Sequence, residues 1–238
     1  LNGEDHVRIQ VLCNGMDIQS CFKKANEIDD YIDAHFDYAF DEKYGYKTTF
    51  PTNTGTGMKA GYTLHLPSLS DARRLNDISA ELGRFGLKFR TVYGDGQNGY
   101  GNLYQISTQK TLGQDEREVI KDLDDIVLQI VNQEKEQREH FYKKDKIQMD
   151  DEIYKSYGVL KYARKLSLKD SMVLISELMT GVSLGVLQFA HNGRYNINEL
   201  IMDIQPAVLR QNSGKAMSVA ETDVLRAEYI RKYLPEII

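Results

Sequence analysis

After about residue 148 the strand-like alternation in this 238-residue chain stops, and helical periodicity takes over. The stretches EIYKSYGVLKYARKL, LKDSMVLISELMTGVSLGVL, NINELIMDIQPAVL and SVAETDVLRAEYIRKYL repeat apolar residues at helical spacing with almost no strand signal between them. A chain divided this way has to build two kinds of core. The predicted class is α+β: residues 1–147 form an antiparallel sheet flanked by helices, and residues 148–238 form an all-helical domain. At 41% apolar, the chain has enough material for one good-sized core and a smaller second one. No internal repeat is evident.

Within the first part, HVRIQVLC (6–13) alternates and is rich in β-branched residues, which predicts a strand. An Asn14-Gly15 turn leads into a helix with Ile18, Phe22, Ala25, Ile28 and Ile32 on one face. Tyr62, Leu64 and Leu66 alternate as a second strand. SLSDARRLNDISAELGRFG then reads as an amphipathic helix with Ser70 as N-cap and Gly86 as C-cap. LKFRTVYGDG and GNLYQIST flank a Gly-rich turn and predict two antiparallel strands. A long helix over 115–146 carries Val119, Leu123, Ile126, Ile130 and Val131 inward, and its charged last third, NQEKEQREHFYKKDK, is expected in solvent.

A formal charge of −5 argues against a nucleic-acid binder that relies on bulk electrostatics, because neutralising phosphates needs a basic surface. No apolar run approaches the roughly 18 residues of a membrane span, and no secretory signal opens the chain. Cys13 and Cys21 make no disulfide framework, which points to a reducing cytoplasm. His and Cys show no metal-ligand spacing. The chain opens on Leu1-Asn2 without Met and runs directly into strand-like sequence, so an upstream part is expected to be absent.

Three segments carry groups capable of chemistry. NGEDHVR (2–8) is either a polar loop entering a sheet or a carboxylate site for a planar cation, since a carboxylate pairs a guanidinium through two parallel hydrogen bonds. YKTTFPTNTGTGMKAG (46–61) lacks P-loop spacing. Its glycines 55, 57 and 61 would let backbone N–H groups approach an anion beside Lys59, or would simply shape a hairpin. RTVYGDGQNGYGN (90–102), with glycines at 94, 96, 99 and 101, is either a mobile lid or a long hairpin turn.

Taken in order, N-x-E-D-H-x-R, DEKYGYKTTFPTNTGTGMKA, LHLP and YGDG…GNLYQIS…TLG resemble the catalytic part of the phosphagen (guanidino) kinase superfamily. Within it, the bacterial protein-arginine kinases of the McsB type are the most similar branch. The resemblance extends over 1–147, and TDVLRA at 222–227 is similar to that branch's phosphoarginine-binding RDxxRA motif.

The resemblance implies ATP-dependent phosphorylation of arginine side chains in proteins, with magnesium. It makes Glu4 the carboxylate that grips the guanidinium and acts as base, with Asp5 and His6 steadying the strand start. Arg8, Lys59, Asn53, Gly55, Thr56, Gly57 and Tyr93 take the nucleotide side; Phe50, Thr52 and Asn98 line the substrate pocket; Asp223 and Arg226 bind phosphoarginine. It also implies an adaptor-type activator, a Clp-type chaperone and a heat-shock repressor as partners, and dimerisation through the helical domain. Four positions depart from the family pattern: Gly3 stands for a Glu, Phe50 for a Cys, Lys59 for an Arg and Thr222 for an Arg. The alternative from another class is a non-catalytic phosphoarginine- or partner-binding module, and a kinase of a small guanidino compound is a third reading.

Overall fold

Along β3 (Gly61–His65) Tyr62 and Leu64 are buried while Gly61 and Thr63 face solvent, as the period-two pattern requires. The computed structural model describes residues 3–95, 98–113, 115–190 and 196–238, with the backbone alone at Asp95 and Asn98. Two compact units divide the chain. One comprises Leu1–Leu64, Arg73–Val92 and Tyr104–Gln133, and the other His65–Ala72, Tyr93–Leu103 and Glu134–Ile238.

In the first unit, α1 (Ile18–Asp33) starts at Asp17, whose carboxylate accepts the Ser20 N–H at 3.2 Å. A short ladder, β1 (Phe40–Asp41) with β2 (Gly45–Tyr46), leads into the Gly/Thr-rich loop. The main sheet runs β3–β7–β4, with β4 at Leu87–Thr91 and β7 at Leu103–Thr108. β4 and β7 pair antiparallel, Phe89 opposite Ile106, and the Phe89 and Tyr104 rings stack with centroids 5.2 Å apart. The two strands expected on either side of the Gly-rich turn are therefore present. The turn itself contains a second ladder, β5 (Gly94–Asp95) with β6 (Asn98–Gly99), so the hairpin alternative holds there; Gly96 lies outside the described residues.

Three expectations need correction. Residues 5–13 alternate strictly between half-buried and exposed, yet they form no ladder among the described residues. Alternation fixes which side chains turn inward, whereas a strand also needs a neighbour for its N–H and C=O groups. The single helix expected over 68–86 is two: α2 (Pro67–Asp71) and α3 (Leu75–Arg84), broken where Arg73 adopts φ 56°. Ser70 lies inside α2 because Pro67 begins that helix. Gly86, at φ 71°, does follow the end of α3 as expected.

The third correction concerns α4 (Glu116–Lys144), whose charged last third is not all in solvent. Glu134 and Arg138 are buried, and Val127 rather than Ile126 sits fully inside. In the second unit the Glu134 carboxylate accepts the N–H groups of Ser68 (3.0 Å) and Leu69 (2.9 Å) and pairs with Arg138 at 3.0 Å. It therefore caps the α2 start from a distance. Arg138 also donates to Ser183 Oγ.

From Lys146 onward that unit is helical, as expected: α5 (Lys146–Tyr162), α6 (Leu168–Leu184), α7 (Ile197–Asp203), α8 (Pro206–Ser213) and α9 (Val219–Tyr233). Ile153, Leu160, Met172, Ile175, Leu178, Leu200 and Ile230 form its core. Ser167 caps α6, and Ser218 with Glu221 forms a capping box on α9.

His65 shares a 2.8 Å hydrogen bond through Nε2 with Ser176 Oγ, which also accepts from Asn102 at 3.1 Å. Burial, reinforced by the Arg138 guanidinium, pushes the imidazole down from 6.5 to about 3. Because the folded state refuses a proton that the unfolded chain takes up below 6.5, this neutral His65 adds stability above pH 6.5 that is lost on acidification. With one pKa unit worth about 1.4 kcal/mol, lowering the pH from 8 to 5 removes about 2 kcal/mol. Burial, with repulsion from Glu134 and Glu152 at Asp71 and from Glu152 and Asp71 at Glu177, raises these two carboxyls, which acts in the opposite direction. Urea unfolding of His65→Gln beside the parent cancels those carboxyls; the parent should lose about 2 kcal/mol more than the variant over that range. Equal losses would show that His65 does not titrate with folding.

Candidate functional site

The loop quoted above is anchored at both ends. Tyr46, at the end of β2, exchanges backbone hydrogen bonds with Gly55 (2.8 and 3.3 Å), and its hydroxyl donates to Asp29 of α1 at 2.8 Å. Tyr38 donates to the same carboxylate, and burial with this contact pushes its hydroxyl up to about 12. At the other wall Thr56 N–H donates to Thr111 O at 2.8 Å, and Thr111 Oγ1 donates to Thr54 O and Thr52 O. Gly55 is required here: at φ 114°, a Cβ would lie 2.1 Å from Thr111 O.

These contacts answer whether the loop cradles phosphate. Asn53 and Thr54 donate their N–H groups to Phe50 O and Pro51 O, Gly55 to Tyr46 O, Thr56 to Thr111 O, and Met58 to Thr56 Oγ1. These five amides are committed to the protein itself. Gly55 serves close backbone packing, and this part of the loop forms a wall.

The acidic segment meets that wall. Asp5 accepts the Thr49 N–H at 3.3 Å and the Asn53 side-chain amide at 2.9 Å, while Glu4 O accepts from Thr49 Oγ1. Asn53 in turn accepts from Lys59 Nζ at 2.5 Å. Glu4 and Asp5 each lie 4.0 Å from the Arg8 guanidinium. Gly3, Glu4, Asp5 and Arg8 line a shallow hollow. One carboxylate with mostly exposed oxygens (Glu4) and two cations (Arg8, Lys59) thus gather around a fixed Asp5–Asn53 link. Such a site suits a planar cation at Glu4 and an anion at Arg8 and Lys59.

Other expected residues lie elsewhere. Phe50 and Thr52 sit exposed on the 3₁₀ turn (Pro51–Asn53) region of the same loop. Tyr93 belongs to the second unit, half-buried, its ring 6.4 Å from that of Tyr100, with burial raising its hydroxyl. The Asn98 side chain lies outside the described residues. Asp223 and Arg226 are buried: Arg226 donates to Ile204 O (3.0 Å), Leu166 O (2.9 Å) and Asp223 (2.6 Å). In this structure the guanidinium clips α9 to the chain before α6 and the end of α7. Among described residues no group of three or more His, Cys, Asp and Glu is placed to hold a metal ion.

Thr49 and Thr111 lie within the stretches that carry the family resemblance, but their place in the sequence assigns them no role, and only the fold brings them to Asp5 and to the loop carbonyls.

Comparison with known proteins places these residues in context. The C-terminal catalytic domain of ATP:guanido phosphotransferases matches residues 1–137, and the C-terminal domain of protein-arginine kinase McsB matches 146–237. A protein-arginine kinase of Bacillus subtilis (strain 168) is 40% identical over 98% of this chain and 64% of its own length. One from Clostridium kluyveri is 41% identical over 98% of this chain and 67% of its own. The duplicated taurocyamine kinase from Schistosoma mansoni with bound transition state analog components is 30% identical, covering 49% of this chain and 16% of that chain, with a TM-score of 0.42. The chain spans about two thirds of the length of the curated relatives it matches, 64% for the Bacillus proteins.

Proposed function

This chain belongs to the ATP:guanido phosphotransferase family, and from that premise we propose that it moves the γ-phosphoryl of ATP onto arginine side chains of proteins. The observation that carries the reading is the Asp5–Asn53–Lys59 link, which holds Glu4, Arg8 and Lys59 around one wall. Glu4 receives the guanidinium and takes its proton; Arg8 and Lys59 neutralise the phosphates. Thr52 and Phe50 border the acceptor. Asn53, Gly55, Thr56 and Gly57 shape the nucleotide side. In such transfers alignment and charge neutralisation supply most of the rate. Magnesium enters as the metal of the nucleotide substrate, carried on its phosphates.

In the helical unit Asp223 and Arg226 stand at the family's phosphoarginine positions. Binding there would require Arg226 to exchange Leu166 O or Ile204 O for phosphoryl oxygens. An adaptor-type activator, a Clp-type chaperone, a heat-shock repressor, a second copy of the chain and a cytoplasmic setting belong to the same proposal. Among described residues no helix is long and apolar enough to cross a membrane.

Calorimetric titration with magnesium–ATP tests the nucleotide side. A charged hydrogen bond is worth about 1.5–3 kcal/mol, so Arg8→Gln and Lys59→Met should each weaken binding roughly 10–100-fold. Unchanged affinity in both variants would remove the phosphate roles.

A further inference from the structure

Between the end of β7 at Thr108 and the start of α4 at Glu116, Thr111 is buried against the Gly/Thr-rich wall. It reaches alternate positions of that wall. Its hydroxyl shares one hydrogen between Thr54 O at 2.7 Å and Thr52 O at 3.1 Å, and its carbonyl accepts the Thr56 N–H at 2.8 Å.

The other ties of the wall fall on other residues. Gly55 is paired with Tyr46 through the backbone, and Ala60 is held by Thr108. In the 3₁₀ turn (Pro51–Asn53) the Asn53 and Thr54 N–H groups bond back to Phe50 O and Pro51 O, inside the loop. Among the described residues, the Thr111 hydroxyl is thus the group that ties the backbone of 52–54 to a part of the unit outside the loop. The residue between those two carbonyls is Asn53, whose side chain receives Lys59 Nζ at 2.5 Å and donates to Asp5 at 2.9 Å. Pinning the carbonyl before Asn53 and the one after it fixes where that side chain begins, and with it where the Lys59 charge is held.

We infer that Thr111 is a positioning residue for the nucleotide. Its hydroxyl holds Thr52 O and Thr54 O, these set the Asn53 side chain, and Asn53 sets the Lys59 ammonium toward the phosphates. Thr111 carries no charge and acts only through these neighbours. The inference rests on the reading of this wall as the nucleotide side.

Two substitutions separate the hydroxyl from the shape of the side chain. Thr111→Val keeps the branched outline and loses the donor, whereas Thr111→Ser keeps the donor and loses the methyl group. The test is calorimetric titration of the whole chain with magnesium–ATP, at a temperature where far-ultraviolet circular dichroism shows every variant folded. Thr111→Val should bind roughly 3–10-fold more weakly, the scale of one neutral hydrogen bond, and Thr111→Ser should stay within about twofold of the parent. On a Lys59→Met background Thr111→Val should weaken binding by less than about twofold more, because the group it positions is already gone. Parental affinity in Thr111→Val, even with a lower melting temperature, would make Thr111 a purely structural residue and overturn the inference. A serine variant as weak as the valine one would overturn it by moving the effect to the methyl group. An undiminished loss on the Lys59→Met background would overturn the route through Lys59. A parent chain that binds no magnesium–ATP would overturn the nucleotide reading and this inference together, whereas a Thr111→Val chain that matches a binding parent overturns this inference alone.

Discussion

Replacing Glu134 by alanine should destabilise the protein by about 3–5 kcal/mol, the range found when one partner of a buried ion pair is removed. The carboxylate makes three contacts in one place, to two α2 N–H groups and the Arg138 charge, and it is almost closed to solvent. Its loss leaves the α2 start without acceptors. It also strands a guanidinium whose Nε already has no hydrogen-bond partner and whose remaining contact is Ser183. Each orphaned buried donor costs about 1–3 kcal/mol. Arg138→Met on top of Glu134→Leu should recover most of the loss, because an apolar pair of similar volume needs no compensation. Urea unfolding followed by far-ultraviolet circular dichroism measures both. A loss under about 1 kcal/mol for Glu134→Ala, or a double variant no better than the single, would contradict this account.

This pair also marks the limit of what the sequence discloses. Periodicity is local, so the strand over Tyr62 and Leu64, the β4–β7 pair and the C-terminal helices are legible from neighbours along the chain. Whether a charge is buried is not local. NQEKEQREH reads as solvated helix, and nothing within it shows that Glu134 meets the N–H groups of residues 65 and 66 positions earlier. The same reasoning covers residues 5–13, where alternation is visible but a pairing neighbour is not. At the site, motif order identified Glu4, Arg8, Asn53 and Lys59 together. The contacts that hold them, Asp5 to Asn53 across 48 positions and Thr111 to the loop carbonyls, exist only in the folded chain. The donations of Arg226 to Ile204 O, Leu166 O and Asp223 are likewise invisible in the motif, because two of the three acceptors lie 22 and 60 positions away.

Glu4→Gln should lower phosphoarginine formation on an arginine-bearing protein by roughly 10²–10⁴, the contribution of a well-placed general base. A free guanidinium holds its proton until well above pH 12, so a nitrogen can attack phosphorus only as that proton leaves. The amide keeps the shape of the side chain and one acceptor but cannot take the proton. Stability should hardly change, since the Glu4 carboxylate is largely exposed and its 4.0 Å contact with Arg8 is of the kind that contributes little. The Glu4 tie to the wall runs through its backbone oxygen, which the substitution leaves in place. Asp5→Asn makes the contrasting control. Its carboxylate accepts Thr49 N–H and the Asn53 amide, so changing it should loosen the wall and weaken magnesium–ATP binding as well as turnover. The distinguishing result is a Glu4→Gln protein with parental melting temperature, magnesium–ATP affinity within a few-fold, and a rate at least a hundredfold down, on the order expected for lost proton transfer. Turnover at the parental rate would take the base role from Glu4, whatever else at the wall still bound nucleotide.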